Sequence, residues 1–227
     1  MPDLMQYPDR AVLAADLAER VADQLRDAIA TRGKASLAVP GGTTPGPFLT
    51  ALSEQDLAWS SVSVMLTDER FVPENSPRSN TRLLKETLLK SYAAAALLVP
   101  MVAASDAPED VLNGLEEGLR PALPLDVVVL GMGEDMHTAS LFPGADKLEE
   151  ALSANAPLLL PMRAEGAGEP RITLTAPVLR QAGAVHVLIT GTPKLDALQA
   201  ALLEGPEADA PIRVVLNRPD TEIHFAE

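Results

Sequence analysis

Residues 125–130 read Leu-Asp-Val-Val-Val-Leu, five apolar side chains in six, and run directly into Gly131-Met132-Gly133. A strand with one wet face alternates polar and apolar residues. This run does not, so it predicts a strand covered on both sides. Similar short segments recur at 35–39, 62–66, 158–162, 172–174, 185–189 and 212–216. Between them lie helical patterns. Over 11–31, Leu13, Leu17, Val21, Leu25 and Ile29 return every fourth residue among charged neighbours, and Gly33 offers a stop. Further helices are predicted from Pro45 or Pro47, over 80–90, 109–119 and 192–203. Strands alternating with helices imply parallel pairing through right-handed crossovers. The expected fold is α/β, a mainly parallel, doubly wound (Rossmann-like) sheet with helices on both faces. With no internal repeat and no low-complexity linker, the 227 residues are expected to form one domain over 1–227.

Aromatic residues make up only 3%, so the core must come from Leu, Val, Ile and Ala. Eighteen basic against 32 acidic side chains leave a net charge of −14. That field repels nucleic acid and anionic membranes, and any anion site must be assembled locally from amides and a few cations. The absence of cysteine excludes disulfides, thiolate catalysis and cysteine-ligated metals. The opening Met1–Arg10 is too polar for a signal peptide, and no apolar run approaches the roughly 18 residues of a membrane span, so a cytoplasmic protein is expected.

In sheets of this kind ligands bind beyond the carboxyl ends of the strands, where three unusual loops are predicted. Pro40-Gly41-Gly42-Thr43-Thr44-Pro45 joins a strand to a helix. Glycines admit close backbone approach, and helix-start amides with threonine hydroxyls suit a phosphate or carboxylate. A plain turn with a threonine cap fits the same residues. Thr67-Asp68-Glu69-Arg70-Phe71-Val72-Pro73 follows another strand. Its charges either solvate a loop, or place Asp68 to orient a substrate and Arg70 to meet a carboxylate, a phosphate or Asp68 itself.

The third loop, Gly131-Met132-Gly133-Glu134-Asp135-Met136-His137-Thr138-Ala139-Ser140-Leu141-Phe142-Pro143-Gly144, carries one of only three histidines. His137 is suited to take a proton from water near neutral pH, with Asp135 fixing its tautomer. Metal ligation and a structural cap are the competing readings. His186 inside a predicted strand and His224 near the C-terminus give no zinc spacing. Arg171 and Lys194, at the edges of later elements, are either surface charges or the cations of an anion site.

Taken together, GGTTP, TDERFV followed by Asn80, GMGED-x-HTASLFPG, RITLT and G-x-x-K resemble, in order, the glucosamine-6-phosphate isomerase/6-phosphogluconolactonase family, over about 37–203. The resemblance implies a cofactor-free, metal-free enzyme whose partner is a phosphorylated sugar lactone, working as a monomer or small homo-oligomer. It implies His137 as general base, Asp68 and Arg70 organising the site, and Gly41, Gly42, Thr43, Thr44, Arg171 and Lys194 holding a 6-phosphate. Gly131, Gly133 and Asp135 would shape the histidine loop. The deaminase branch carries a further acid in a Phe-Asn-Glu-Pro string after the histidine. Here 139–143 read Ala-Ser-Leu-Phe-Pro, which favours 6-phosphoglucono-1,5-lactone hydrolysis. A deaminase or aldose–ketose isomerase, or a non-catalytic sugar-phosphate binder, are the alternatives. Met136 stands where the family usually has glycine, which implies strain of about 1–3 kcal/mol if φ there is positive.

Overall fold

The structure, a computed structural model, describes residues 2–227; Met1 of the polar N-terminal stretch lies outside the described residues. In chain order it forms β1 (Asp3–Gln6), α1 (Arg10–Arg32), β2 (Ala35–Val39), α2 (Gly46–Ser53), β3 (Val62–Leu66) and β4 (Asp68–Arg70). Next come α3 (Asn80–Thr87), β5 (Leu97–Leu98), α4 (Leu112–Leu119), β6 (Val127–Gly131), α5 (Leu148–Leu152) and β7 (Leu159–Met162). The last are β8 (Arg171–Leu174), α6 (Ala176–Arg180), β9 (Ala184–Thr190), α7 (Thr192–Ala201), α8 (Arg213–Leu216) and β10 (Thr221–Ala226).

Seven strands form one sheet in the order β1-β10-β9-β6-β2-β3-β5, with every neighbouring pair parallel. The chain winds outward from β2 through β3 to β5, then crosses back to lay β6 on the other side of β2. That reversal opens a crevice outside the carboxyl ends of β2 and β6. Val127, Val128, Val129 and Leu130 are wholly buried, as the unbroken apolar run requires. The predicted first helix is α1. Asp9 caps it by accepting from the amides of Ala11 and Val12, Gly33 closes it with φ 74°, and Leu13, Leu17, Val21 and Leu25 are buried.

Four features depart from the sequence analysis. Residues 212–216, expected as a strand, contain the short helix α8. A buried run of five apolar-rich residues has no period that separates helix from strand. Here Arg213 reaches from it to the carbonyls of Ala200, Ala201 and Pro206, closing the end of α7. The predicted loop at Asp68–Arg70 is the strand β4. It joins β8 and β7 in a separate antiparallel sheet, with Asp68 opposite Thr173 and Arg70 opposite Arg171. The terminal strands β1 and β10, unmarked by any continuous apolar run, extend the main sheet. The helix expected over 109–119 is a 3-10 turn, Pro108–Val111, followed by α4.

The register of β9 and β10 sets His186 beside Glu222, with His224 two residues further on the same face. Burial, reinforced by Arg20, lowers the pKa of His186 to about 4. Burial also lowers that of His224 to about 3, with His186 and Arg20 adding to the effect. Both imidazoles are therefore uncharged at neutral pH. Among the described residues, no helix is long and apolar enough to cross a membrane.

Candidate active site

β3, β2, β6 and β9 lie side by side and parallel, so the chain leaves all four at one edge of the sheet. Beyond them follow, in turn, Thr67–Asp68, Pro40–Pro45, the His137 loop and the Gly191–Lys194 turn.

The loop after β2 is built for close approach. A Cβ on Gly41 would lie 2.1 Å from the Asn80 amide carbon, so only glycine leaves room for that side chain. Asn80 in turn donates to the Asp68 carbonyl at 3.1 Å. Pro45 is the N-cap of α2, and no side chain caps the helix. The threonine-cap reading therefore fails. Thr43 and Thr44 instead line a pocket with Arg10, Pro47, Phe48, Leu188 and Thr190.

The charges of Asp68-Glu69-Arg70 are not solvation. Glu69 has no exposed surface. Its carboxylate accepts from the amides of Arg70, Asn80 and Thr81 and from the hydroxyls of Ser79 and Thr81, at 2.7–3.2 Å. It thus neutralises the start of α3, where amides lack helical partners. The sequence carried no local signal for this part of Glu69, which lies ten residues before Ser79 and reaches the start of α3 only through the fold.

Asp68 is buried, accepts from Ser140 Oγ at 2.5 Å, and lies 3.5 Å from Arg171 Nη1. Of the partners open to Arg70, Asp68 is not the one taken. Arg70 Nη1 donates to the Arg78 carbonyl at 2.7 Å. Arg70 and Arg171 face each other across β4 and β8, and the Nε atom of each is buried with no hydrogen-bond partner among the described residues. A buried donor without a partner costs about 1–3 kcal/mol, which an anion at this place would recover. Burial, opposed by Asp68, pulls the Arg171 pKa below its ordinary value, with Arg70 adding to the depression.

The His137 loop folds back on itself. Thr138 Oγ1 donates to the Gly131 carbonyl, the Gly133 amide to the His137 carbonyl, and the Met136 amide to the Gly133 carbonyl. Within this turn His137 Nδ1 sits 2.5 Å from Asp135 Oδ1. A Cβ on Gly133 would fall 2.2 Å from His137 Nδ1 and 2.4 Å from Asp135 Oδ1, so a glycine is what lets the pair close. With Nδ1 committed, Nε2 is the nitrogen free to meet a substrate. Met136 adopts φ 64°, the left-handed conformation anticipated for the family's glycine, and Ala139 follows at φ 49°. The Met136 carbonyl is held by the Ile212 amide at 3.1 Å, just ahead of α8.

Phe142 joins the two halves. Its ring centroid is 4.4 Å from that of His137, and the Arg171 guanidinium lies 5.1 Å from it. Neither Ser140 nor Phe142 was singled out from the sequence. Lys194 sits in the first turn of α7 after Gly191, where it is half-buried. Burial lowers its pKa and nearby Glu134 opposes that shift. Asp68, Arg171, His137 and Asp135 are thus linked through Ser140 and Phe142, and Lys194 lies within the electrostatic reach of Glu134 in the same loop. The Pro40–Pro45 loop reaches them through Asn80. Arg70 borders them across the small sheet.

The family described as glucosamine-6-phosphate isomerases/6-phosphogluconolactonase matches residues 8–225. The chain is 50% identical over 213 residues to a 6-phosphogluconolactonase of Mesorhizobium japonicum, covering 93% of this chain and 89% of that one. It is 48% identical over 215 residues to one of Rhizobium meliloti, covering 93% and 92%. A crystal structure of a 6-phosphogluconolactonase from Shewanella baltica superposes with a TM-score of 0.97 at 33% identity, covering all of this chain and 98% of that one. With its own reversal of strand order, its histidine loop and these matches in agreement, the chain belongs to the glucosamine-6-phosphate isomerase/6-phosphogluconolactonase family.

Proposed function

We propose that this chain hydrolyses 6-phospho-D-glucono-1,5-lactone to 6-phospho-D-gluconate, a step of the pentose phosphate pathway, with His137 as the base. The reading is carried by the His137–Asp135 pair, closed over Gly133 and joined through Phe142 to an arginine with an unpartnered buried donor. The names of relatives up to 50% identical over most of the chain support it.

His137 Nε2 takes a proton from water as its oxygen attacks C1. Asp135, on the opposite nitrogen, supports the imidazolium that forms. When the tetrahedral intermediate collapses, the bond from C1 to the ring oxygen breaks and His137 returns the proton to that oxygen. Water is consumed and no cofactor enters. Asp68 holds Arg171 and Ser140 in place, and Arg70 borders the same space. Gly41, Gly42, Thr43, Thr44, Arg171 and Lys194 grip the 6-phosphate, so binding energy far from C1 fixes the carbonyl against the base. Gly131, Gly133 and Asp135 shape the loop.

Residues 139–143 supply no acid for the proton shuttling of a deaminase; Ser140 serves Asp68 instead. We place the enzyme in the cytoplasm, as one domain over 1–227, monomeric or a small homo-oligomer. The test is lactone consumption at fixed pH against the spontaneous rate, run beside ammonia release from glucosamine 6-phosphate. Lactone turnover alone is expected. Background-level lactone opening, or ammonia release, would overturn the assignment.

A further inference from the structure

A second cluster of titratable groups lies where α1 covers β9 and β10, away from the loops above. His186 and His224 have no exposed surface, and Glu222 beside them is about one-third exposed. Their proton inventory is unusual. The Tyr7 hydroxyl is 2.6 Å from Asp16 Oδ2 and 2.9 Å from His224 Nδ1. A carboxylate has no proton to give, so the hydroxyl donates to Asp16 and accepts from His224 Nδ1–H. His224 Nε2 is left with a bare lone pair. His186 Nε2 lies 2.8 Å from Gln24 Oε1 and donates to it, which leaves a lone pair on His186 Nδ1.

Those two lone pairs face each other at 3.0 Å. Glu222 Oε2 completes the triangle, 3.5 Å from His186 Nδ1 and 3.8 Å from His224 Nε2. It is buried and has no hydrogen-bond partner among the described residues. Arg20 Nη1 stands 3.8 Å from it, beyond hydrogen-bond reach, and Arg20 Nε is taken by Asp16. Three acceptors converge and no donor lies between them, so the arrangement calls for a cation.

We propose that His186, Glu222 and His224 bind one zinc-class divalent ion. Tetrahedral ligands at about 2.0–2.1 Å from zinc lie about 3.4 Å apart, close to the separations here, and two histidines with one glutamate are a ligand set zinc accepts. The outer contacts fit as well. Each ligating imidazole donates its other N–H to a fixed oxygen, Gln24 Oε1 or the Tyr7 hydroxyl. The fourth position opens on the exposed side of Glu222 and takes water. Because the ligands come from β9 and β10 and their supports from α1 and the end of β1, the ion clamps the edge of the sheet and takes no part in lactone hydrolysis.

The rival arrangement turns the Gln24 amide so that it donates to His186 Nε2, and His186 Nδ1–H then donates to His224 Nε2 with no ion required. The two are separated by titrating the chelator-stripped full-length protein with Zn2+ against a chromophoric chelator, and with Co2+ by visible absorption. Expected are one saturable equivalent per chain, the bands of four-coordinate Co2+ and a raised Tm. Glu222→Gln, whose fold is checked by circular dichroism, should weaken binding at least ~10-fold, and Tyr7→Phe by ~10–100-fold. His137→Ala should bind the ion as wild type does. No saturable equivalent, or one that survives Glu222→Gln and vanishes in His137→Ala, would overturn the proposal.

Discussion

The chain places its three imidazoles in two settings, and the contrast sets the histidine proposed as a base against the pair proposed as ligands. His137 stands on a loop, partly exposed, with one nitrogen held by a carboxylate and the other free. His186 and His224 stand on adjacent buried strands, and every ring nitrogen has a neighbour within 3.0 Å. The first arrangement is open to solvent on one side, as an exchange of protons with water requires. In the second the two imidazoles are buried among fixed neighbours, which suits the resident ion proposed above. The side chain is the same. What decides the chemistry is whether the second nitrogen is spoken for.

Removing the free imidazole strikes hardest. His137→Ala is expected to lower kcat by about 10²–10⁴-fold, the usual worth of a positioned base. Affinity for 6-phosphogluconate, measured by calorimetry, should hardly change. A kcat near wild type would erase the distinction between the two settings. Gly133→Ala isolates the geometry from the chemistry. Gly133 is not among the residues with positive φ, so alanine strains no backbone there, yet its Cβ would collide with His137 and Asp135. A displacement of about 1 Å at a catalytic group costs on the order of 10²-fold, which kcat should register while the Tm stays close to wild type.

Lys194→Ala should sharpen the contrast between base and grip. It removes a charge-assisted contact worth about 1.5–3 kcal/mol, so KM is expected to rise roughly 10–100-fold with kcat little altered. A fall in kcat with KM unchanged would move Lys194 from the phosphate to the reacting carbonyl. The smallest effect belongs to Met136→Gly. Left-handed backbone costs a non-glycine residue about 1–2 kcal/mol, and glycine's greater freedom in the unfolded chain returns about 0.5–1. A net gain of up to about 1.5 kcal/mol would raise the Tm by a few degrees, at roughly 2–4 °C per kcal/mol, with activity retained. A lower Tm would mean that Met136 contributes more by packing on the core than its backbone costs.

The central strands were legible because burial on both faces demands apolar-rich runs: Val127–Leu130 of β6 is apolar throughout, and β2, β3 and β9 are each interrupted inside by one polar side chain, Ser36, Ser63 and His186. The α1 stripe and its Gly33 stop were equally plain. What escaped the sequence was whatever depends on a partner far along the chain. β4 is three charged residues with no strand signal of its own; pairing with β8 makes it one. β10 reads Thr-Glu-Ile-His-Phe-Ala, and its three polar side chains disguise a largely buried strand. Missing it hid the meeting of His186 with His224, since 38 residues separate them and only the β9–β10 register joins them. At the candidate site, Asp68, Asp135, His137 and Arg171 stood out by charge and position. Ser140 and Phe142 did not, because a serine and a phenylalanine acquire their parts only from what they touch.

The proposed hydrolysis requires one shared pocket, with the phosphate gripped at one end and the reacting carbon against His137 at the other. A crystal structure of the chain with 6-phosphogluconate bound examines this directly. The expected result puts the phosphate against the Thr43–Thr44 turn, Arg171 and Lys194, and the C1 carboxylate within hydrogen-bond reach of His137 Nε2. Phosphate density elsewhere, or a C1 carboxylate remote from His137, would contradict it.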